Sequence, residues 1–151
     1  DYASKAVNLN PSFAQSYGWL GLSQVHYGEY ENAEKTFLKA IDISPLDPDI
    51  NLIRTGLNFS CIGQKKFKEA LEYIEKNLSL VPNRGNWIGF RASILGHLGK
   101  VDEAAKELNR YLEMRPNLKT TEDYRNIFVK NSKLTETIID GFLKAGWEPE
   151  N

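Results

Sequence analysis

The sequence predicts an all-α fold, a right-handed solenoid of antiparallel helix pairs that ends in a C-terminal helical cap. Three observations predict it. Small, aromatic and apolar residues recur along the 151-residue chain, first after 37 and then after 34 residues. Glycine or proline stands at most of the expected helix ends, and the apolar positions between them follow a helical period. A repeat of about 34 residues is typical of a stacked helix-turn-helix unit.

The interval from Tyr17 to Pro45 contains the clearest copy of this pattern. Three of its positions return along the chain, as Ala33, Ala70 and Ala104, as Phe37, Ile74 and Leu108, and as Pro45, Pro82 and Pro116. Residues four apart share one face of a helix. We therefore expect the small alanine to allow close helix approach and the larger side chain to fill the space beyond it.

Residues 1–13 fit the second helix of a truncated preceding repeat, because Ala6 and Pro11 match the end of the clearest copy. The chain also begins at Asp1 rather than at a methionine. We expect it to be a piece of a longer protein.

Three complete repeats are predicted, at residues 14–47, 51–84 and 85–118. In the first, the helices are expected at about residues 12–25 and 30–43, the second of them after Gly28. Three additional residues in the following turn lengthen the first interval. There, Asp47 is expected to cap the next helix, with Pro48 at its first position.

The later repeats depart from the pattern at two positions. Lys65 replaces the glycine of the first turn, and Tyr111 replaces a small residue near the end of the sixth complete helix. Packing against whatever follows Tyr111 should therefore differ from that between the earlier repeats.

Residues 119–151 are predicted to form the C-terminal cap. Thr120 and Asp123 have the spacing of a capping box before a helix at about 121–128. Ser132 is expected to cap a last helix at about 133–145, which ends at Gly146. A stack of repeats requires such a cap, since the final repeat would otherwise expose its apolar face.

Composition excludes several classes of partner. The net charge is -1 with 26% charged residues, so no clustered positive charge attracts nucleic acid or anionic lipid. No apolar run approaches the length of a membrane span. Cys61 is the one cysteine, so the chain forms no internal disulfide, as expected of a cytoplasmic protein. We expect Cys61 to be buried.

The repeat resembles the tetratricopeptide repeat (TPR) family. The first copy carries the family's signature positions at Tyr17, Leu20, Gly21, Gly28, Tyr30, Ala33, Phe37, Ala40 and Pro45. The resemblance covers about residues 14–118. It implies a non-catalytic scaffold that binds a protein or peptide on the concave face lined by the first helices of the repeats.

A narrower resemblance concerns residues 40–48 and 124–146. Both segments are similar to the repeat regions that follow the catalytic domain of bacterial class III adenylate and guanylate cyclases, and some repeat-bearing transcriptional regulators end in a similar way. This implies a regulatory C-terminal part of an adenylate cyclase-like signalling protein, with its output domain upstream. None of the cyclase's metal-binding or nucleotide-binding residues is present in this chain.

Partner-binding residues are predicted on a stripe of the three first helices that faces away from the second helices. This concave stripe comprises Gln15, Trp19, Leu22, His26, Phe59, Asn86, Phe90, Ser93 and His97. Large aromatic anchors among small polar groups are typical of peptide interfaces. The alternative is that these aromatic side chains belong to the inter-repeat core or are covered by the last helix.

The glycines of the first helices also have two interpretations. Gly18, Gly21, Gly56, Gly89 and Gly96 either permit close helix packing or, for Gly18, Gly56 and Gly89, widen a groove for a bulky ligand. His26 and His97 occupy equivalent positions two repeats apart, too far to share a metal ion, and we expect both to be exposed at helix ends.

No nucleophile with a nearby base, phosphate-binding loop or carboxylate pair is evident, so we expect neither catalysis nor a cofactor. A different class of function is self-association. In this hypothesis the stack forms a homo-oligomer that positions an upstream output domain, with residues 1–10 available to pair with a second copy.

Overall fold

The computed structural model describes residues 14–128 and 132–150. The predicted helix within residues 1–13 lies outside this range. The described part of the chain contains eight α-helices and no strand, in agreement with the predicted all-α class. Their bounds are α1 Ala14–His26, α2 Tyr30–Ile43, α3 Ile50–Gly63, α4 Phe67–Leu80, α5 Gly85–His97, α6 Val101–Glu113, α7 Thr121–Ile127 and α8 Lys133–Lys144.

Helices α1 to α6 form three consecutive antiparallel pairs. Each first helix packs on its own second helix, each second helix packs on the first helix of the next pair, and α1 also contacts α3. This arrangement confirms the predicted solenoid, in which each unit contacts mainly its neighbours.

The first two pairs meet around the ring of Phe37, which is fully buried. A Cβ atom added at Gly21 would lie 2.6 Å from that ring, and one added at Gly56 would also overlap it. In the third pair, a Cβ atom at Gly89 would lie 2.9 Å from the ring of Tyr111. Gly56 and Gly89 thus admit neighbouring aromatic rings, and the alternative that they widen a ligand groove is wrong.

The turns within the pairs use the left-handed backbone region. Gly28 and Gly99 have φ angles of 78° and 71°, and Lys65 adopts φ 60° at the equivalent position of the second pair. The lysine preserves the turn geometry at a cost, because a Cβ atom disfavours this region.

The turn between the first two pairs differs from the prediction. Helix α3 begins at Ile50, two residues later than expected, because residues 47–50 form a turn in which the Ile50 N–H donates to the Asp47 carbonyl. A carboxylate oxygen of Asp47 accepts the N–H of Asp49 at 2.8 Å, so it stabilises the turn rather than the helix start.

The predicted caps of the C-terminal helices are confirmed. Thr120 and Asp123 form a reciprocal capping box, and the Ser132 hydroxyl accepts the N–H of Thr135. Gly146 ends α8 at φ 96°. The next residue, Trp147, donates its N–H to the Phe142 carbonyl and packs edge-on against the Phe142 ring, as in a Schellman motif.

Helix α8 lies along the row of first helices, packed on α5 and also on α3. Ile138 and Phe142 on its apolar face are fully buried. At its N-terminal end, the Tyr30 hydroxyl of the first pair hydrogen-bonds the backbone of Leu134. The last helix therefore contacts all three pairs.

Candidate functional site

An open groove lies between α3 and α5 on the row of first helices. Its volume is about 350 Å³. We call it the aromatic groove; its lining consists of Pro48, Asp49, Asn51, Leu52, Thr55, Phe59, Val81, Arg84, Asn86, Trp87, Phe90 and Phe128.

The floor of the aromatic groove is a cluster of three phenylalanine rings. Phe59 and Phe90 meet edge to face with ring centroids 5.0 Å apart. Phe128, just beyond α7, lies 5.5 Å from Phe59 and 5.7 Å from Phe90 between centroids. Phe90 is buried and the other two rings are partly exposed, so the cluster is both part of the core and the apolar base of the groove.

The groove continues past Asp49 and Leu52 into a small hollow between α1 and α3. Gln15 and Trp19 line that hollow together with Asp47. The Trp19 side chain is 57% exposed and Leu52 is 42% exposed. Large exposed apolar side chains beside a concave surface are the feature expected of an interaction site.

Charges of opposite sign mark the two ends of this surface. Asp47 and Asp49 lie at the α1 end, beside Trp19. Arg84 lies at the α5 end, with its guanidinium carbon 5.0 Å from the Trp87 ring centroid. The guanidinium of Arg115 reaches the side-chain oxygen of Asn86 at the same end.

Five residues of the predicted stripe line this surface. They are Gln15 and Trp19 in the hollow and Phe59, Asn86 and Phe90 in the aromatic groove. Leu22 is half-buried against the core around Phe37, and His26 is exposed with its ring edge-on to Tyr27.

The remaining two residues of the stripe are covered by α8. The Ser93 hydroxyl donates to the Ile138 carbonyl at 2.9 Å, and Nε2 of His97 lies 2.7 Å from the Thr137 carbonyl. The His97 side chain is 6% exposed, so the expectation that it is exposed at a helix end is wrong. Ser93 and His97 are covered because the apolar face of α8 is buried against this end of α5.

Burial also determines the state of Cys61. Its side chain is inaccessible, and desolvation is the main cause that raises the pKa of its thiol to about 12. The expected burial is confirmed, and a neutral thiol of this kind is a poor nucleophile and metal ligand.

A larger hollow of about 570 Å³ lies beyond the C-terminal ends of α1 and α3. Residues 29–32 line one side of it and Lys133 lines another. Its lining is mostly polar and charged, with Glu31, Gln64 and Lys66 among its residues. It lacks the apolar base of the aromatic groove, and a solvated surface accounts for it.

Sequence reasoning did not single out Phe128, Trp87 and Arg84 as groove residues. Phe128 lies far along the chain from Phe59 and reaches it only because the chain just after α7 returns to the row of first helices. The signal that could have identified Phe128 is its residue type, because a phenylalanine ring usually packs against other apolar groups.

Residues 14–128 and 132–150 contain no group of three or more His, Cys, Asp or Glu side chains arranged to hold a metal ion. None of their helices is both long and apolar enough to cross a membrane.

Comparison with known proteins supports the tetratricopeptide repeat assignment. Residues 14–45 and 89–118 match the family model described as tetratricopeptide repeat. No curated protein matches the chain in sequence.

Several solved structures share the fold. MamA aligns with a TM-score of 0.67 at 14% identity, covering 95% of this chain and 82% of MamA. PilW, a type IV pilus biogenesis factor, aligns with a TM-score of 0.69 at 16% identity, covering 95% of this chain and 63% of PilW. YrrB, described as a TPR protein with an unusual peptide-binding site, aligns with a TM-score of 0.65 at 20% identity. The alignment covers 95% of this chain and 74% of YrrB. At these identities the likeness concerns the fold.

Proposed function

We propose that this chain, with tetratricopeptide repeat matches at 14–45 and 89–118, is a non-catalytic scaffold that binds an extended peptide segment of a partner protein. The observation that carries the proposal is the aromatic groove, an open channel of about 350 Å³ with three phenylalanine rings at its base. Its continuation to Trp19 lets one peptide contact three repeats. The peptide-binding site named for YrrB gives a precedent on the same fold.

The open groove occupies one half of the concave stripe. Gln15, Trp19, Phe59, Asn86 and Phe90 form the binding surface in this proposal. Ser93 and His97 instead hold α8 in place, and Leu22 and His26 lie outside the groove. This division keeps a ligand away from the C-terminal half of α5, which α8 covers.

A display selection with random nonamer peptides tests the proposal. The folded chain is the immobilised target, and affinities of the selected peptides are measured by fluorescence anisotropy. Leu52→Glu should weaken binding at least tenfold, because it places a charge in the apolar groove. Leu46→Glu is the matched control, since Leu46 is 94% exposed and does not line the groove.

Phe59 and Phe90 are unsuitable positions for this test. Both rings pack in the hydrophobic core, and truncating a buried phenylalanine costs about 3–5 kcal/mol. A folded chain that selects no peptide, or whose peptides bind the Leu52→Glu variant normally, contradicts the groove proposal.

We also propose a cytoplasmic regulatory role in a bacterial adenylate cyclase-like parent. Its support is the resemblance of residues 40–48 and 124–146 to the repeat regions of such proteins. The sequence encoded upstream of Asp1 tests it: a cyclase domain there supports the proposal, and any other output domain contradicts it.

Self-association remains the alternative function. Sedimentation of a chain extended by one upstream repeat tests it, and a purely monomeric species would contradict it.

A further inference from the structure

The charges along the groove carry an inference about the ligand. The inference rests on the proposed function and concerns the same surface. At the α1 end, Asp49 is exposed, and its side chain makes no capping hydrogen bond to α3. It shares the hollow with Asp47 and with the exposed ring of Trp19. Carboxylates beside an open indole ring favour a lysine or arginine side chain, through charge attraction and cation–π contact.

The opposite end has the reverse preference. Arg84 is exposed and stacks over Trp87, and Arg115 reaches Asn86 beside it. A guanidinium held at the mouth of a groove favours a carboxylate in the ligand. Between the two ends, the cluster of Phe59, Phe90 and Phe128 favours an apolar side chain.

The spacing of the helices sets the spacing of these preferences in a ligand. Packed helices lie about 8–10 Å apart, and an extended peptide advances about 3.3 Å per residue. Asp49 precedes α3 and Arg84 precedes α5, so these two residues lie one step apart along the row of first helices, which corresponds to about three residues of peptide.

We propose that the groove recognises an extended peptide with a basic side chain at Asp49 and Trp19, an acidic side chain about three residues away at Arg84, and an apolar side chain between them at the phenylalanine cluster. The two ends of the groove differ in charge, so they fix the direction in which a given peptide binds.

The display selection already described tests this inference when the selected peptides are sequenced. Peptides from the unaltered chain should be enriched in a basic and an acidic residue about three positions apart with an apolar residue between them. Enrichment in apolar residues alone, with peptides that still require Leu52, would contradict the charge preference and leave the proposed groove function standing. Failure to select any peptide would contradict both.

A charge reversal provides the second arm. Asp49→Lys should weaken a selected peptide about fivefold, and replacing the basic residue of that peptide with glutamate should restore the lost affinity. Asp47 is unsuitable for this purpose because its carboxylate holds the turn before α3.

Asp102→Lys is the matched control. Asp102 is also an exposed acidic residue at the start of a helix, α6, but it does not line the groove. Its replacement should leave peptide binding unchanged. Equal loss in both lysine variants, or no recovery with the glutamate peptide, would overturn the proposed recognition.

Discussion

Nε2 of His97 lies 2.7 Å from the carbonyl oxygen of Thr137, so the end of α5 is tied directly to α8. The imidazole also stacks on Phe67, with ring centroids 4.0 Å apart. The other ring nitrogen, Nδ1, lies 3.3 Å from the Lys144 ammonium and 3.8 Å from an Asp140 carboxylate oxygen. A single side chain thus links α4, α5 and α8.

This contact predicts a pH-dependent stability. Burial lowers the pKa of His97 below its ordinary value of 6.5, Lys144 and Lys65 lower it further, and the Thr137 bond and Asp140 oppose them. The unfolded chain then binds a proton more readily than the native chain. Stability is therefore complete above the unfolded pKa and declines as pH falls below 6.5 toward the native pKa.

Urea unfolding at about pH 7.5 and about pH 5.5 measures this effect, because most carboxylates titrate below that interval. The free energy of unfolding should be lower at the acidic value. His97→Gln, which cannot titrate, should remove that difference. An equal pH dependence in the variant would assign the effect to other groups.

The close crossing of α5 and α8 at Gly96 and the roomier site of Gly18 in α1 predict opposite effects of two alanine substitutions. A Cβ atom at Gly96 would overlap the backbone carbonyl of Gly141, so Gly96→Ala should destabilise the chain by about 1–3 kcal/mol. A Cβ atom at Gly18 would meet only Ile53, at 4.0 Å, so Gly18→Ala should stabilise α1 by about 0.5–1 kcal/mol. Thermal unfolding followed by circular dichroism distinguishes them, and equal effects would contradict the close crossing.

The burial of Phe37 predicts a large loss of stability on truncation. The ring fills the space between Gly21 and Gly56, so Phe37→Ala should lower the free energy of unfolding by about 3–5 kcal/mol. Leu38→Ala is the control at the next position, where the side chain is 41% exposed and the change should stay within about 0.5 kcal/mol. Chemical denaturation measures the free energy of unfolding of both variants. Similar losses in Phe37→Ala and Leu38→Ala would show that Phe37 is not the central core residue.

The inaccessible thiol of Cys61 should resist alkylation in the native chain. Its pKa of about 12 leaves little thiolate near neutral pH. Iodoacetamide at about pH 8 should label the unfolded chain readily and the folded chain only at the rate of unfolding, as measured by mass spectrometry. A Leu38→Cys variant in a Cys61→Ala background supplies an exposed thiol for comparison. Comparable labelling rates for the two thiols would contradict the burial.

Several parts of the structure could be predicted from particular residues. Tyr30 and Ile43 bound α2 as expected, and the capping box at Thr120 and Asp123 forms as its spacing indicates. The start of α3 could not be predicted, because Asp47 and Pro48 suit either a helix start or a turn and longer-range packing decides between them. Trp147, beyond the last predicted helix, proves to be a buried contact of Phe142.

The sequence by itself determined the helix pairs and the face that each second helix buries, because the period of apolar and small residues is a local property of the chain. The tertiary structure alone decided which part of the concave stripe stays open. Ser93 and Phe90 have equivalent patterns in sequence, yet α8 covers Ser93 while Phe90 remains at the base of a groove. The repeat period shows that an apolar helix face must pack against another element. The path of the chain after α7 determines that α8 is the element that packs on this face of α5.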